Sequence, residues 1–350
     1  MVIFGTSFFY VVSLLILFFS SVLQCYVRSK LFLVISYVGV ITIIFVSGLR
    51  ISGGTDLDAY LNLWNQLVPF SKETYNGNYS YFEPGIRYFL SFLKGVYNHF
   101  SLYLIAISAV IHFLLMISVI RLNGNTLIAL VVFFLNFFVS YSLNASAQAI
   151  TMVVLIFLLP ILYQKRFLMY STIVTIMAFF HKSILLALPI YMISKTVRSV
   201  WLYMFLLVIS VLLYYFSILE NLSTLIGFDI KILQAVYGAS PVGVLDFSQR
   251  LVLLLFCYFS VSRVLRSDFD WFVLKLYALS LPLYIVLLEL PVFATRVHFF
   301  FRILEVVIVS RTFESISKSN IKLLYVFLVF VLYIPGFYIQ ITHPDSILRF

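Results

Sequence analysis

Runs of about 20 apolar residues, each long enough to cross a hydrocarbon slab as a helix, recur from one end of this chain to the other. Clear candidates lie near 4–25, 31–48, 101–120, 126–143, 146–163, 200–218, 249–265, 271–289, 297–311 and 321–340. Lipid offers no partner to backbone N–H and C=O groups, so such runs must satisfy them internally. The runs are continuous rather than alternating, which favours helices over a β-barrel. Composition agrees: 63% of the 350 residues are apolar and 10% charged, against roughly 45–50% and 25% in soluble domains. A soluble enzyme, a disordered chain and a disulfide scaffold are excluded. The expected fold is an all-α, polytopic transmembrane helical bundle of about 11–12 spanning or half-spanning helices. It is read as one integral membrane domain over 1–350. Cys25 and Cys257 lie in or beside apolar runs and have no metal-ligand spacing.

Two regions do not fit a simple crossing. Residues 83–98 carry Glu83, Arg87 and Lys94, and 167–194 are interrupted by His181-Lys182-Ser183. The positive-inside rule decides how to thread them. With Arg28 and Lys30 cytoplasmic, an interfacial or re-entrant 83–98 and a fold-back at 181–183 bring Arg121, Lys165, Arg166, Lys195, Arg198, Arg263, Arg266, Arg311, Lys318 and Lys322 to the same side. Both termini then lie outside. The extracytoplasmic loops are 49–100, which holds the interfacial or re-entrant helix, and 219–248. Irregular backbone at membrane depth should border a polar cavity. Met1–Ser21 lacks a basic n-region and a small-x-small cleavage site, so it reads as a first span that stays.

The formal charge is +10, from 23 Lys and Arg against 13 Asp and Glu. No basic run exceeds two residues, so anionic lipids and an anionic substrate are the expected partners rather than nucleic acid. Every cytoplasmic loop is brief and no phosphate-binding or dinucleotide motif is present. ATP-driven transport by this chain alone is not expected.

Polar residues that carry chemistry fall in clusters. Arg50-Ile-Ser-Gly-Gly-Thr-Asp56-Leu-Asp58-Ala-Tyr60 follows the second run. Its Gly53-Gly54 permits a sharp turn, Thr55 or Asp56 can cap the next helix, and Asp56 and Tyr60 share a face. Asp56 and Asp58 also form a D-x-D, the pair many sugar transferases use to hold a divalent metal. Tyr81-Phe82-Glu83-Pro84-Gly85-Ile86-Arg87 places Pro84 in a first helical turn, with Glu83 at the positive end of the dipole. Glu83 and Arg87 can also pair at i,i+4. Leu143-Asn144-Ala145-Ser146-Ala147-Gln148 forms an outer turn, and His181-Lys182-Ser183 the fold-back. A neutral His181 beside Lys182 could act as a base. Thr295-Arg296-Val-His298-Phe-Phe-Phe-Arg302-Ile-Leu-Glu305 carries charge ~13 Å along a helix, where it faces a bundle interior or forms an Arg302–Glu305 pair. Arg250 follows the second outer loop, His112 reads as an interhelical hydrogen bonder, and His99 and His343 as surface residues. Arg50, Arg87, Lys182, Arg250, Arg296 and Arg302 fall on the outer half, against the positive-inside bias. A phosphate or pyrophosphate headgroup is the simplest anion to hold them there, and arginine's forked donors suit it.

Arg50-x-x-x-Gly54-Thr55-Asp56-x-x-x-Tyr60, Phe82-Glu83-Pro84-Gly85, His181-Lys182-Ser183 and the late Arg296 together resemble the EpsG-like group of Wzy-type O-antigen and exopolysaccharide polymerases. One departure is Ala147-Gln148, where such proteins often carry Arg-Gln. The resemblance implies an enzyme of a bacterial inner membrane, multi-pass and GT-C-like in layout, with its active site facing the periplasm. It would transfer a growing glycan from undecaprenyl pyrophosphate to the sugar of an incoming lipid-linked repeat unit. Cations must then offset charge on the departing pyrophosphate, and a base must take a proton from the acceptor hydroxyl. Asp56, Glu83 or His181 are the catalytic candidates. Arg50, Tyr60, Arg87, Gln148, Lys182, Arg250, Arg296 and Arg302 are candidates for holding pyrophosphate and glycan. No metal or other cofactor is expected, and a chain-length regulator is a further candidate partner. The alternatives are a metal-dependent transferase of one sugar from a polyprenyl phosphate, and a lipid-linked oligosaccharide flippase.

Overall fold

The computed structural model describes residues 2–27, 30–50, 56–70, 82–192, 200–218, 220–221 and 244–342. Arg28, Gly53, Gly54, Thr55, Tyr81, Lys195, Arg198, His343 and most of the expected 219–248 loop lie outside the described residues. The chain divides into two compact units, one of residues 1–188 with 309–350 and the other of residues 189–308. Among the described residues there are helices and no strands.

The first unit contains α1 (Val2–Gln24), α2 (Leu31–Leu49), α3 (Leu57–Gln66), α4 (Pro84–Val96), α5 (Phe100–Arg121), α6 (Thr126–Phe133), α7 (Ser146–Tyr163) and α8 (Phe167–Ala178). α6 runs on as a π-helix over Phe134–Ser142, and a 3₁₀ segment, Lys182–Ala187, follows α8. α6 and α7 are apolar all round, and both are buried nearly all round, as such a pattern requires. α5 packs on α2 and α7. Ring edges join α1 to the last helix, with Phe18 5.0 Å from Phe330 and Tyr10 5.9 Å from Phe337. Away from the Arg50 end, Asn125 Nδ2 donates to Glu314 Oε2 at 3.0 Å and Arg311 donates to the Leu122 carbonyl.

The second unit holds a 3₁₀ turn (Pro189–Met192), α9 (Val200–Tyr215), α10 (Val244–Ser260) with a π turn over Val261–Leu265, α11 (Asp268–Ala278), α12 (Ser280–Val286) and α13 (Pro291–Arg302). α14 (Leu304–Ser315) starts in this unit and ends in the first, which α15 (Ser319–Thr342) completes.

Six helices among the described residues are long and apolar enough to cross a membrane, beginning at Leu31, Phe100, Ser146, Ser248, Asp268 and Ser319. Shorter apolar stretches add Phe9–Gln24, Thr126–Ser142, Phe167–Ala178, Lys182–Met192 and Phe205–Tyr215. The all-α polytopic bundle is therefore as expected. The run at 297–311 differs: two helices of 12 residues meet at Ile303, between Arg302 and Glu305. Apolar periodicity reports a run of helix and is blind to a break that leaves both pieces apolar.

Both difficult regions resolve as short elements. α4 has 13 residues, ~20 Å of helix, too little for a crossing of ~30 Å. The chain also turns back after α8. His181 is extended (φ −160°, ψ 122°), and Tyr170 Oη donates to the Ala187 carbonyl at 2.6 Å, so the 3₁₀ segment lies along the helix that precedes it.

Candidate active site

The site in the first unit begins where α2 ends. Arg50 leaves the helix in extended conformation, and its side chain turns inward until 6% is exposed. Nη2 donates to the Leu143 carbonyl at 2.6 Å. Nε and Nη1 are buried and have no hydrogen-bond partner among the described residues. Among the described residues the groups that act on its charge are the hydroxyls of Tyr103 and Tyr10, and none of these is a carboxylate. A guanidinium left this way is costly unless an anion completes it.

The turn that receives Arg50 also receives the next motif residue. The Asp56 N–H donates to Asn144 Oδ1 at 2.9 Å. Asp56 occupies the position before α3, yet its side chain makes no capping bond; Thr55, the other expected cap, lies outside the described residues. The Asp56 N–H is drawn across to the π-helix terminus instead, an interaction 88 residues away in sequence that local cap rules do not see. Asp58 is exposed, whereas Asp56 is half-buried. Tyr60, one turn on, is buried with ring centroids 5.4 Å from both Phe82 and Tyr103. Its hydroxyl meets the Ser146 side chain and the Ala147 backbone. Burial, reinforced by the charges of Asp56 and Glu83, pushes that hydroxyl up to about 12.

Glu83 and His181, separated by 98 residues, form the other half. Nδ1 of His181 lies 3.1 Å from Glu83 Oε1, with both side chains largely buried. A carboxylate only accepts, so Nδ1 carries the proton and Nε2 is the basic nitrogen. The expectation for His181 weighed only Lys182; the structure adds an acid. The Lys182 N–H also points at Glu83 Oε1, at 3.5 Å, while its ammonium is exposed. Burial alone would raise the Glu83 carboxyl, but the hydrogen bond and charge of His181 overcome it and hold the group below its ordinary value.

Gly85 explains how the two segments approach. Its N–H donates to the Phe179 carbonyl at 2.7 Å, and an added Cβ would sit 2.7 Å from that same oxygen. Backbone against backbone leaves no flexible atom to yield. Gly85→Ala is therefore expected to separate the Glu83 and His181 segments, lowering the midpoint of thermal unfolding and activity together. An alanine variant with unchanged midpoint and rate would contradict this packing.

Arg87, in the second turn of α4, and Gln148, in the first turn of α7, are both buried. Tyr60 therefore links the parts: Asp56 and Glu83 act on its hydroxyl, and Tyr103 lies between it and Arg50. Sequence reading missed Tyr103, an aromatic in a spanning run with nothing to set it apart. Asn144 and Ser146 were legible only as turn residues. A groove of about 360 Å³ between α1, α2 and α6 is mostly apolar and is not lined by Glu83 or His181.

The second unit has its own buried cluster. Arg250 stacks 4.0 Å over Tyr284 and 5.5 Å from the Phe299 centroid. His298 is buried 5.2 Å from Tyr284, and both Arg250 and Arg302 act on it electrostatically. Arg302 Nε donates to Glu305 Oε1 at 2.8 Å, and Tyr277 Oη donates to the same oxygen at 2.6 Å. Arg302 thus has a counter-charge within the unit. Arg296 is exposed. Among the described residues no three His, Cys, Asp or Glu side chains gather as metal ligands.

The fold and the first unit's site define a polytopic helical membrane protein with a buried guanidinium and an imidazole–carboxylate pair joined by tyrosines. The chain belongs to the EpsG family, whose model matches residues 30–348, as the sequence motifs implied. That membership gives it a polysaccharide polymerase-type, glycosyltransferase-like function. No curated protein and no solved structure matches the chain.

Proposed function

We propose that this protein joins lipid-linked oligosaccharide repeats, transferring a growing glycan from undecaprenyl pyrophosphate to an incoming unit at the periplasmic face of a bacterial inner membrane. The observation that carries this reading is Arg50, a buried guanidinium with two N–H-bearing nitrogens uncommitted among the described residues. In the proposed reaction an acceptor sugar hydroxyl attacks the anomeric carbon of the donor. The bond from that carbon to the pyrophosphate oxygen breaks, and the lipid pyrophosphate leaves with the electron pair. His181 Nε2 takes the hydroxyl proton. Glu83 fixes the ring's tautomer and offsets the imidazolium charge that forms, the logic of a base oriented by a third group. Arg50, supported by Arg87, offsets charge on the departing pyrophosphate. This reading assigns Tyr60, Gln148 and the exposed Lys182 to the glycan. Asp56 serves through its backbone bond to Asn144, which holds the turn that Arg50 also grips. Arg302 already has Glu305, and no step is routed through Arg250 or Arg296.

The test is purified protein in liposomes with a defined undecaprenyl-pyrophosphate-linked repeat, read as a gel ladder with and without a chelator. A ladder that extends equally in both is expected. A ladder abolished by the chelator would favour a metal held by Asp56 and Asp58. Product carrying only one added sugar, or glycan moved across the bilayer unjoined, would overturn polymerisation.

A further inference from the structure

Outside the site, the least explained surface lies on α3 and α4. α3 and α4 pack on each other: Ser91 Oγ donates to the Val68 carbonyl at 2.8 Å. Lys94 Nζ reaches the Trp64 and Leu67 carbonyls at 2.6 and 2.9 Å. This lysine satisfies carbonyls at the end of α3 that a helix terminus leaves open. Its charge is spent inward, and burial pulls it below its ordinary value.

The face left outward is apolar. Tyr88, Phe92 and Val96 repeat at i, i+4 and i+8 on α4, and Phe92 and Val96 are 54% and 63% exposed. Val68, Phe70 and Tyr97 extend the patch, with Phe70 67% exposed. Phe70 has φ 53°, a left-handed conformation that is strained for a bulky L residue. Its ring lies edge-on to Phe92 at 6.1 Å and so close over Gly95 that a Cβ there would sit 2.0 Å from it. The chain thus accepts backbone strain and a dedicated glycine to hold an aromatic ring outward. Among the described residues the ring gains one edge-on contact with Phe92 and its cover over Gly95, and still leaves most of its apolar surface outward, a placement that apolar surroundings favour over water.

We infer that this face is seated in the lipid interface at the Arg50 end of the bundle, with headgroups and upper acyl chains as its occupant. Three residues, Tyr97–His99, separate α4 from α5, whose own outward residues Val110, Phe113 and Ile117 are exposed along a spanning helix. The patch therefore continues a lipid-facing surface. Its make-up is aromatic and uncharged, which suits the headgroup–acyl boundary. α4 lies on this surface with Glu83 at its first end, so lipid packing would hold the carboxylate against His181. This last consequence rests on the polymerase reading; the seating itself does not.

Single cysteines placed at 88, 92 and 96, after Cys25 and Cys257 are replaced by alanine, can carry a spin label in full-length protein reconstituted in liposomes. Asp58→Cys and Asn65→Cys, at exposed positions of α3, serve as comparison. The ratio of collision with oxygen to collision with a water-soluble nickel chelate should be at least about threefold higher at 88, 92 and 96 than at 58 and 65. Equal ratios would overturn the seating. Dipolar broadening at 92 that vanishes on dilution with unlabelled protein would also overturn it, by putting a second copy on the face. Phe92→Asp gives a second reading: the labels at 88 and 96 should lose their oxygen preference while the midpoint of thermal unfolding in detergent is unchanged. Labels that stay lipid-exposed despite the aspartate would count against α4 being held by this stripe. If seating is confirmed and the liposome ladder still fails, the polymerase reading falls alone.

Discussion

Replacing Arg50 with methionine removes polymer longer than a single repeat while the protein still inserts and melts as a folded bundle. Methionine keeps the apolar stem and most of the volume. What it removes is the bond to the Leu143 carbonyl at 2.6 Å and the two uncommitted nitrogens. The first loss is one charge-assisted hydrogen bond, ~1.5–3 kcal/mol. The second removes a preorganised donor set from a leaving diphosphate, an effect of ~100-fold or more in rate. The two losses are separable because they register in different measurements, the unfolding midpoint and the initial rate of ladder growth. Arg50→Lys sharpens the comparison. A lysine keeps the charge but not the planar fork that grips a carbonyl and an anion together, so an intermediate loss of ~10-fold is expected. A methionine variant that builds full-length ladders would remove Arg50 from the site. Equal loss in both variants, with a large fall in midpoint, would make Arg50 a brace for the Leu143 turn.

The parts of the fold governed by composition were legible in sequence. Runs of apolar residues located nearly every helix, and the excess of basic residues at one set of helix ends marked 83–98 and 167–194 as irregular. The site was legible as pieces. Arg50, Asp56, Tyr60, Glu83 and His181 stand out as polar residues where lipid tolerates few. Their assembly was not, because it depends on backbone events that residue patterns do not encode. The π-helix over Phe134–Ser142 is one. Its carbonyl register presents Leu143 and Asn144 to Arg50 and Asp56, and π segments often mark functional places. The close pass of Gly85 under the Phe179 carbonyl is another. Tyr103 shows a third limit. A buried tyrosine in a spanning helix looks like its apolar neighbours until the chain brings Arg50 and Tyr60 beside it.

The pair of Glu83 and His181 should fail as a unit. His181→Ala removes the base and is expected to lower the rate of ladder growth by ~10²–10⁴. Glu83→Gln preserves size, but its amide can donate to Nδ1. That stabilises the tautomer in which Nε2 carries the proton, so the nitrogen facing the acceptor would no longer be basic. A loss of ~10²–10³ follows from the wrong tautomer and the missing charge. The double variant should be no slower than His181→Ala, since residues that act together are not additive. Stability gives an independent check. The Glu83 carboxyl is held below its ordinary 4.5, so its contribution to folding is complete above 4.5 and is lost as pH falls through the lowered value. The difference in unfolding midpoint between the native protein and Glu83→Gln should therefore be constant near neutrality and shrink at acid pH. A difference that grows on acidification would mean that the carboxyl is not the stabilised anion of the pair, and multiplicative rate losses in the double variant would mean that the two side chains work apart. Coupling in both measurements leaves one economical explanation: an acid in the α4 segment and an imidazole at the α8 fold-back share a proton-handling task that neither position could perform alone.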